Sequence, residues 1–190
     1  LKGNPPMVPK PTYEPACLLA RNFCPADVPA LHAIGHTQNV ARMMASIHRN
    51  WTRNQTRQWM TSAPFHGMIG FRIGVYARTT DTLIGFVGIG GTPTNLAYAL
   101  GEPHWGRGYA TEMVHGLLGH CYAQLGLTTL TAEHYTDNPG SGRVLTKLGF
   151  EKYAESGESM GKSLARLEPA PQTLYRLTHQ QFKAATHEIS

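Results

Sequence analysis

Long apolar runs are missing from the sequence. Nowhere in its 190 residues does it approach the length of a membrane-crossing helix, and it does not open on a secretory pattern. Its first residue is Leu1 rather than methionine, so targeting information could lie upstream. Cysteine is scarce: Cys17, Cys24 and Cys121 form an odd set without metal-ligand spacing. That argues against a disulfide framework and for a reducing, cytoplasmic setting, with Cys17 and Cys121 read as small buried hydrophobes. Acidic residues are few, 12 against 17 Lys and Arg, for a net charge of +5. The basic residues are scattered rather than gathered in a block, which disfavours nucleic acid and leaves a phosphate-rich ligand as an equal explanation of the charge. Two nucleotide-binding strings are also missing, the G-x-G-x-x-G of a dinucleotide loop and the G-x-x-x-x-G-K-[ST] of a P-loop. His115 and His120 are five apart and do not share a helix face, so no metal site is expected there.

What the sequence does contain is hydrophobic material, 41% of its residues, enough for one good core. Residues 1–15 are an exception, with Pro5, Pro6, Pro9, Pro11 and Pro15; they read as an extended arm ahead of a single domain over 16–190. Cys17 to Arg21 reads as a first strand. Val28, Leu31 and Ile34 mark a helix, Val40, Met43, Met44 and Ile47 a second, and Asn54 to Met60 a third anchored by Trp59. Met43 and Met44 suit core filling better than a substrate groove. Strands follow over Phe71 to Tyr76, Leu83 to Ile89 and Asn95 to Leu100, the first two joined through Thr79 to Thr82.

The central stretch is His104 to Glu112. It links the strand ending at Leu100 to a helix running from about Ala110 to Gln124. Gly106, Gly108 and Ala110 are small where a bulky side chain would keep a ligand from the backbone. Unpaired amides and the positive dipole end at the mouth of a helix favour a phosphate, and Arg107 adds a charge beside them. Trp105 and Tyr109 flank this cradle, either shaping a channel or anchoring the turn. Along the helix, Met113, Leu117, Cys121 and Leu125 form a stripe to pack on the sheet, while Gly116 and Gly119 suggest close neighbours. Then come a strand over Leu127 to Tyr135, a short helix from Pro139 to Leu148, a strand from Phe150 to Tyr153, and a last strand from Thr173 to Thr178 with a fraying tail. This order predicts a mixed α/β layer fold.

Two strings stand about thirty residues apart: Trp105-Gly106-Arg107-Gly108-Tyr109-Ala110-Thr111-Glu112 and Asn138-Pro139-Gly140-Ser141-Gly142-Arg143-Val144-Leu145-Thr146-Lys147-Leu148-Gly149-Phe150. Together they resemble the GNAT superfamily of acetyl-CoA-dependent N-acetyltransferases. The likeness is greatest to the branch of bacterial ribosomal-protein N-terminal acetyltransferases and runs from about Cys17 to Phe182. It implies a central, mostly antiparallel sheet of six to seven strands, splayed at the cofactor site and flanked by helices. It also implies acetyl-CoA as co-substrate, no metal, and direct transfer of acetyl to a primary amine, either a protein N-terminus or a small molecule. Arg107 to Thr111 would hold the pyrophosphate, with Trp105 and Gly106 beside them. The backbone near Leu100 would pair with the pantetheine arm as an added strand would.

Asn138 matches the family asparagine that contacts this arm, although ahead of Pro139 it is also a good helix N-cap. Ser141 matches the branch serine credited with helping the departing sulfur, and is otherwise a small residue easing helix approach. The tyrosine that many relatives use as general acid is Leu145 here, and the glutamate that many use as base is Asn95. The base is therefore open among Glu102, His104, Glu133, His134 and a water held by Tyr98. Those two departures also support a second reading, a catalytically weakened CoA-binding module. The segment from His36 to Met60 carries Arg42, Arg49, Arg53 and Arg57 and no acid, which disfavours highly cationic acceptors. A C-terminal strand in this fold could pair between subunits as a homodimer, though nothing in the sequence demands it.

Overall fold

The computed structural model describes residues 17–47, 49–154 and 160–187; the proline-rich stretch over 1–15 lies outside them. Strand β1 (Leu18–Arg21) is followed by three helices, α1 (Val28–His36), α2 (Gln38–Ala41) and α3 (Arg53–Thr61). Strands β2 (Phe71–Ala77), β3 (Thr82–Gly90) and β4 (Asn95–Leu100) then lead to α4 (Tyr109–Gln124). The chain closes with β5 (Thr129–Tyr135), α5 (Pro139–Lys147), β6 (Glu151–Ala154), β7 (Met160–Gly161), β8 (Ala170–Thr178) and α6 (His179–His187).

The strands form one sheet in the order β1-β2-β3-β4-β5-β8-β6, with β7 paired to β8 outside that path. Among the described residues that makes eight strands, one more than the upper expectation. The addition, β7, has two residues, too short to leave a periodic pattern. Every pairing is antiparallel except that of β4 with β5, which is parallel and held by a single bridge, Asn95 to Thr131. Beyond that bridge the two strands part, and the sheet forks.

Side chains alternate across a strand, so the sheet has two differently filled faces. Leu96 and Leu100 of β4 join the larger core with Leu118 and Cys121 of α4, Leu145 of α5 and Phe182 of α6. Ala99 turns to the other side, where Val28 and Leu31 of α1 pack with Val40, Met44, Met60 and Phe86. The α4 stripe is buried at Met113, Leu117 and Cys121. Gly119 does not serve close packing, since a Cβ there would meet nothing within 4 Å. Cys17 is exposed rather than buried, because it precedes β1 and is held there through its amide, which donates to Glu112 Oε1 at 2.9 Å.

Two helices differ from the sequence expectation. The second stops at Ala41, and the chain turns with Met43 N donating to Val40 O at 3.0 Å. The Arg42 carbonyl, which a longer helix would use, accepts instead from Arg166 Nε at 2.8 Å. Val40, Met44 and Ile47 still reach the core. The tail after Thr178, read as fraying, is the helix α6. Gln181 N donates to Thr178 Oγ1 at 3.3 Å and Thr178 N donates to Gln181 Oε1 at 2.7 Å, a reciprocal capping box.

Candidate active site

The fork opens into a cleft of about 760 Å³, lined from one sheet face by α4 and α5 and from the other by the chain around Arg42 to Ser46. At its mouth the turn after β4 builds the cradle. Gly106 and Gly108 sit at φ 72° and 80°, a left-handed conformation that strains any residue with a Cβ, and open space surrounds both. Gly108 is the N-cap of α4; its carbonyl accepts from Glu112 N at 3.0 Å. The amides of the first helical turn therefore have no acceptor within the helix and a positive dipole end behind them. Trp105 Nε1 donates to the Leu100 carbonyl at 2.8 Å, tying the turn to the end of β4 while half the indole stays exposed.

Of the residues singled out from the sequence, Leu100, Trp105, Gly106, Gly108, Tyr109, Ala110, Thr111, Asn138 and Ser141 all line this one cleft. Arg107 does not; it is exposed between the two glycines. Asn138 caps α5, its Oδ1 accepting from Ser141 N at 3.3 Å, and it borders the cleft as well. Leu145 is fully buried in the core, as its chemistry requires.

Ser141 Oγ shares a 2.7 Å hydrogen bond with Tyr98 Oη. Burial, first of all, pushes the Tyr98 hydroxyl up to about 12, against a smaller opposite effect of the Ser141 hydrogen bond. Sequence reading gave Tyr98 only a water to hold. The alternation of β4 carried the signal, since Tyr98 shares the face of Leu96 and Leu100 and so points to the side of α5.

Among the candidate bases, Glu133, His134 and His104 border the cleft and Glu102 does not. Asn95, where the resemblance leads one to expect a glutamate, donates from Nδ2 to Glu133 Oε2 at 2.5 Å and to Thr131 Oγ1 at 3.3 Å. Leu130 and Ala132 of β5 face the α4 core, so Thr131 and Glu133 face the opposite side. His134, on the α5 face, is held by the Tyr135 carbonyl at 2.7 Å and Tyr175 Oη at 3.2 Å. Burial, then the charge of Arg107, holds the His104 imidazole below its ordinary range and so favours its neutral form.

On the Arg42 side, Asp137 binds two guanidinium groups. Arg42 Nη2 makes a short contact with Asp137 Oδ2, and Arg166 Nη2 donates to Asp137 Oδ1 at 2.7 Å. Arg166 also lies 4.2 Å over the Tyr135 ring. Burial opposes ionisation of Asp137, but Arg166 and Arg42 outweigh it and hold the carboxyl below its ordinary range. Met43 and Met44 line the cleft, against the expectation of core filling alone; Met44 does both. Sequence reading missed the clamp, whose members lie up to 124 residues apart.

A profile of the acetyltransferase (GNAT) domain matches residues 18–151. The chain belongs to the GNAT family of acetyltransferases. An uncharacterized N-acetyltransferase of Bacillus subtilis, YoaA, is 29% identical over 152 residues, covering 75% of this chain and 84% of its own. Among solved structures, the ribosomal L7/L12 α-N-protein acetyltransferase RimL, in complex with coenzyme A, superposes with a TM-score of 0.70 at 14% identity. That match covers 86% of this chain and 94% of the other. Spermidine N-acetyltransferase from Vibrio cholerae, in complex with CoA and spermine, superposes with a TM-score of 0.71 at 13% identity, covering 87% and 98%. At such identities the structural likeness shows the fold. Among the described residues no helix is long and apolar enough to cross a membrane.

Proposed function

We propose that this acetyltransferase moves the acetyl group of acetyl-CoA directly to a primary amine bound in the same cleft. The observation that carries the reading is the fork itself. Two parallel strands with one ladder bridge, Asn95 to Thr131, do not pair with each other beyond it, and that gap ends at the anion cradle of Gly106 and Gly108. A molecule with a pyrophosphate at one end and an amide-bearing arm at the other suits both features. The cradle residues fit it, because a Cβ at either glycine is absent where backbone amides must be approached.

In the reaction an N–C bond forms, the C–S bond of the thioester breaks, and the amine loses a proton. Glu133 is the group for that proton: it faces the cleft from the Arg42 side, and Asn95 orients its carboxylate. Ser141, on the other face, is the hydrogen-bond donor for the departing sulfur. This division restores both functions lost at Asn95 and Leu145 and so disfavours a weakened binding module.

The acceptor class is a protein N-terminal α-amine or a small amine. The two CoA-bound neighbours are named for a protein and for a polyamine, so kinship of fold does not choose between them. The pairing of Asp137 with Arg42 and Arg166 leaves no free carboxylate on that trio to attract a polycation, which favours the peptide.

Calorimetric titration with acetyl-CoA and CoA, on wild type and on Gly108→Trp, tests the reading. Binding by wild type that the folded variant loses is the expected result. No binding by wild type at millimolar cofactor overturns it.

A further inference from the structure

We propose that Tyr98 is a positioning residue that turns the Ser141 hydroxyl into a directed hydrogen-bond donor toward the leaving sulfur of the thioester. The inference rests on the acetyl-CoA reading and adds to it a residue on a different element, β4 rather than α5.

A serine hydroxyl has one proton and two lone pairs and rotates to suit its neighbours. Left alone at the start of α5, Ser141 could spend its proton on a nearby carbonyl, as small hydroxyls at helix ends commonly do. Here its backbone is fixed by Asn138, whose Oδ1 accepts from Ser141 N at 3.3 Å. Its Oγ stands 2.7 Å from Tyr98 Oη, while the Ser141 carbonyl is a poorer partner for the same tyrosine at 3.4 Å. With the tyrosine donating, the serine oxygen is already an acceptor, and its own proton is left for the cleft that both residues line. Donation from Tyr98 also polarises that O–H, since hydrogen bonds in a chain strengthen one another. Burial holds the phenol neutral throughout the working range, so it remains a donor and does not itself give up its proton.

The step balances without Tyr98 changing state. The C–S bonding pair leaves with sulfur, the thiolate accepts the Ser141 hydrogen bond, and the amine's proton passes to Glu133. Solvent later carries the proton from Glu133 to the thiolate, which leaves CoA as the thiol and Glu133 as the carboxylate. Leu145 occupies the place of a proton donor in many relatives; the pair of Tyr98 and Ser141 makes transfer of a full proton unnecessary.

The test titrates the thiol of bound CoA, which needs no acceptor amine. The thiolate band near 232 nm is followed against pH, with desulfo-CoA complexes as blanks, for wild type, Tyr98→Phe, Ser141→Ala and the double variant. Binding of both ligands and thermal unfolding are measured alongside. We expect each single substitution to raise the thiol pKa of bound CoA by roughly one unit. The double variant should match Ser141→Ala alone, because Tyr98 acts only through the serine, and CoA affinity below the thiol pKa should change less than about three-fold. A Tyr98→Phe titration equal to wild type overturns the proposal while leaving the acetyl-CoA reading in place. Additive shifts in the double variant also overturn it. Failure of wild type to bind CoA overturns both.

Discussion

Asn95 and Glu133 meet across the closed end of the β4–β5 fork, the amide of the first donating to the carboxylate of the second at 2.5 Å. An amide cannot take a proton at neutral pH, so Asn95 acts instead as a donor that orients the carboxylate on β5. Glu133→Gln should lower kcat by about 10²- to 10⁴-fold at neutral pH with cofactor affinity preserved. Asn95→Ala should reproduce a smaller part of that loss. Release of CoA thiol in steady state measures both, and a Glu133→Gln enzyme with wild-type kcat sinks the assignment.

Gly106→Val places a β-branched residue at a φ of 72°. The space around it is open, so the damage is to the local backbone rather than to the core. Strain of this kind is on the order of 1–3 kcal/mol, and the cradle is the part free to relax. The expected outcome is at least a ten-fold loss of CoA affinity by calorimetry with only a small change in thermal midpoint. Equal affinity would show that the turn is not the anion site.

The clamp of Arg42, Asp137 and Arg166 makes stability depend on pH in a defined direction. The folded Asp137 carboxyl is held below its ordinary range. Its contribution is therefore complete above the unfolded carboxylate pKa and is lost as pH falls through the folded value. Wild type should unfold at a higher temperature than Asp137→Asn near neutrality, and the two should converge in acid. Because Asp137 is 41% exposed, the gap should be modest and shrink with salt. A gap that widens in acid contradicts the clamp.

Thr178→Ala removes one half of the capping box that starts α6. Loss of such a cap costs about 1 kcal/mol, which for a chain of this size moves the melting temperature by roughly 2–4 °C. Thermal unfolding by circular dichroism reads this directly. An unchanged midpoint would mean that α6 is held by packing, with Phe182 in the core and His179 stacked on Tyr122, rather than by its cap.

How far the sequence carried is clearest at particular residues. The strand, turn and helix from Asn95 to Gln124 were legible because periodicity changes from two to 3.6 across a pair of glycines. The α5 string was legible because Asn138 and Pro139 open it and Gly149 ends it. The end of α2 was not, since it depends on Arg166 capturing the Arg42 carbonyl from 124 residues away. The α6 helix was legible in principle through Thr178 and Gln181, a signal that short reach makes local. Tyr98 and Ser141, 43 residues apart, met only once β4 and α5 were placed, although the face of each could be read from its own element.

The single bridge between β4 and β5 also bears on cohesion. Strands β1 to β4 form one block and β5 to β8 another, and the ladder between them has one bridge, Asn95 with Thr131, beside the Asn95 to Glu133 hydrogen bond. The seam between the blocks is the same place that would receive the ligand. Any molecule spanning it would complete the hydrogen bonding that the strands lack there, and binding energy would appear as stiffness of the whole sheet. Beneath that seam, Leu96 and Leu100 of β4 share one buried core with Leu130 of β5 and Leu177 of β8, so the two blocks are already held together by packing.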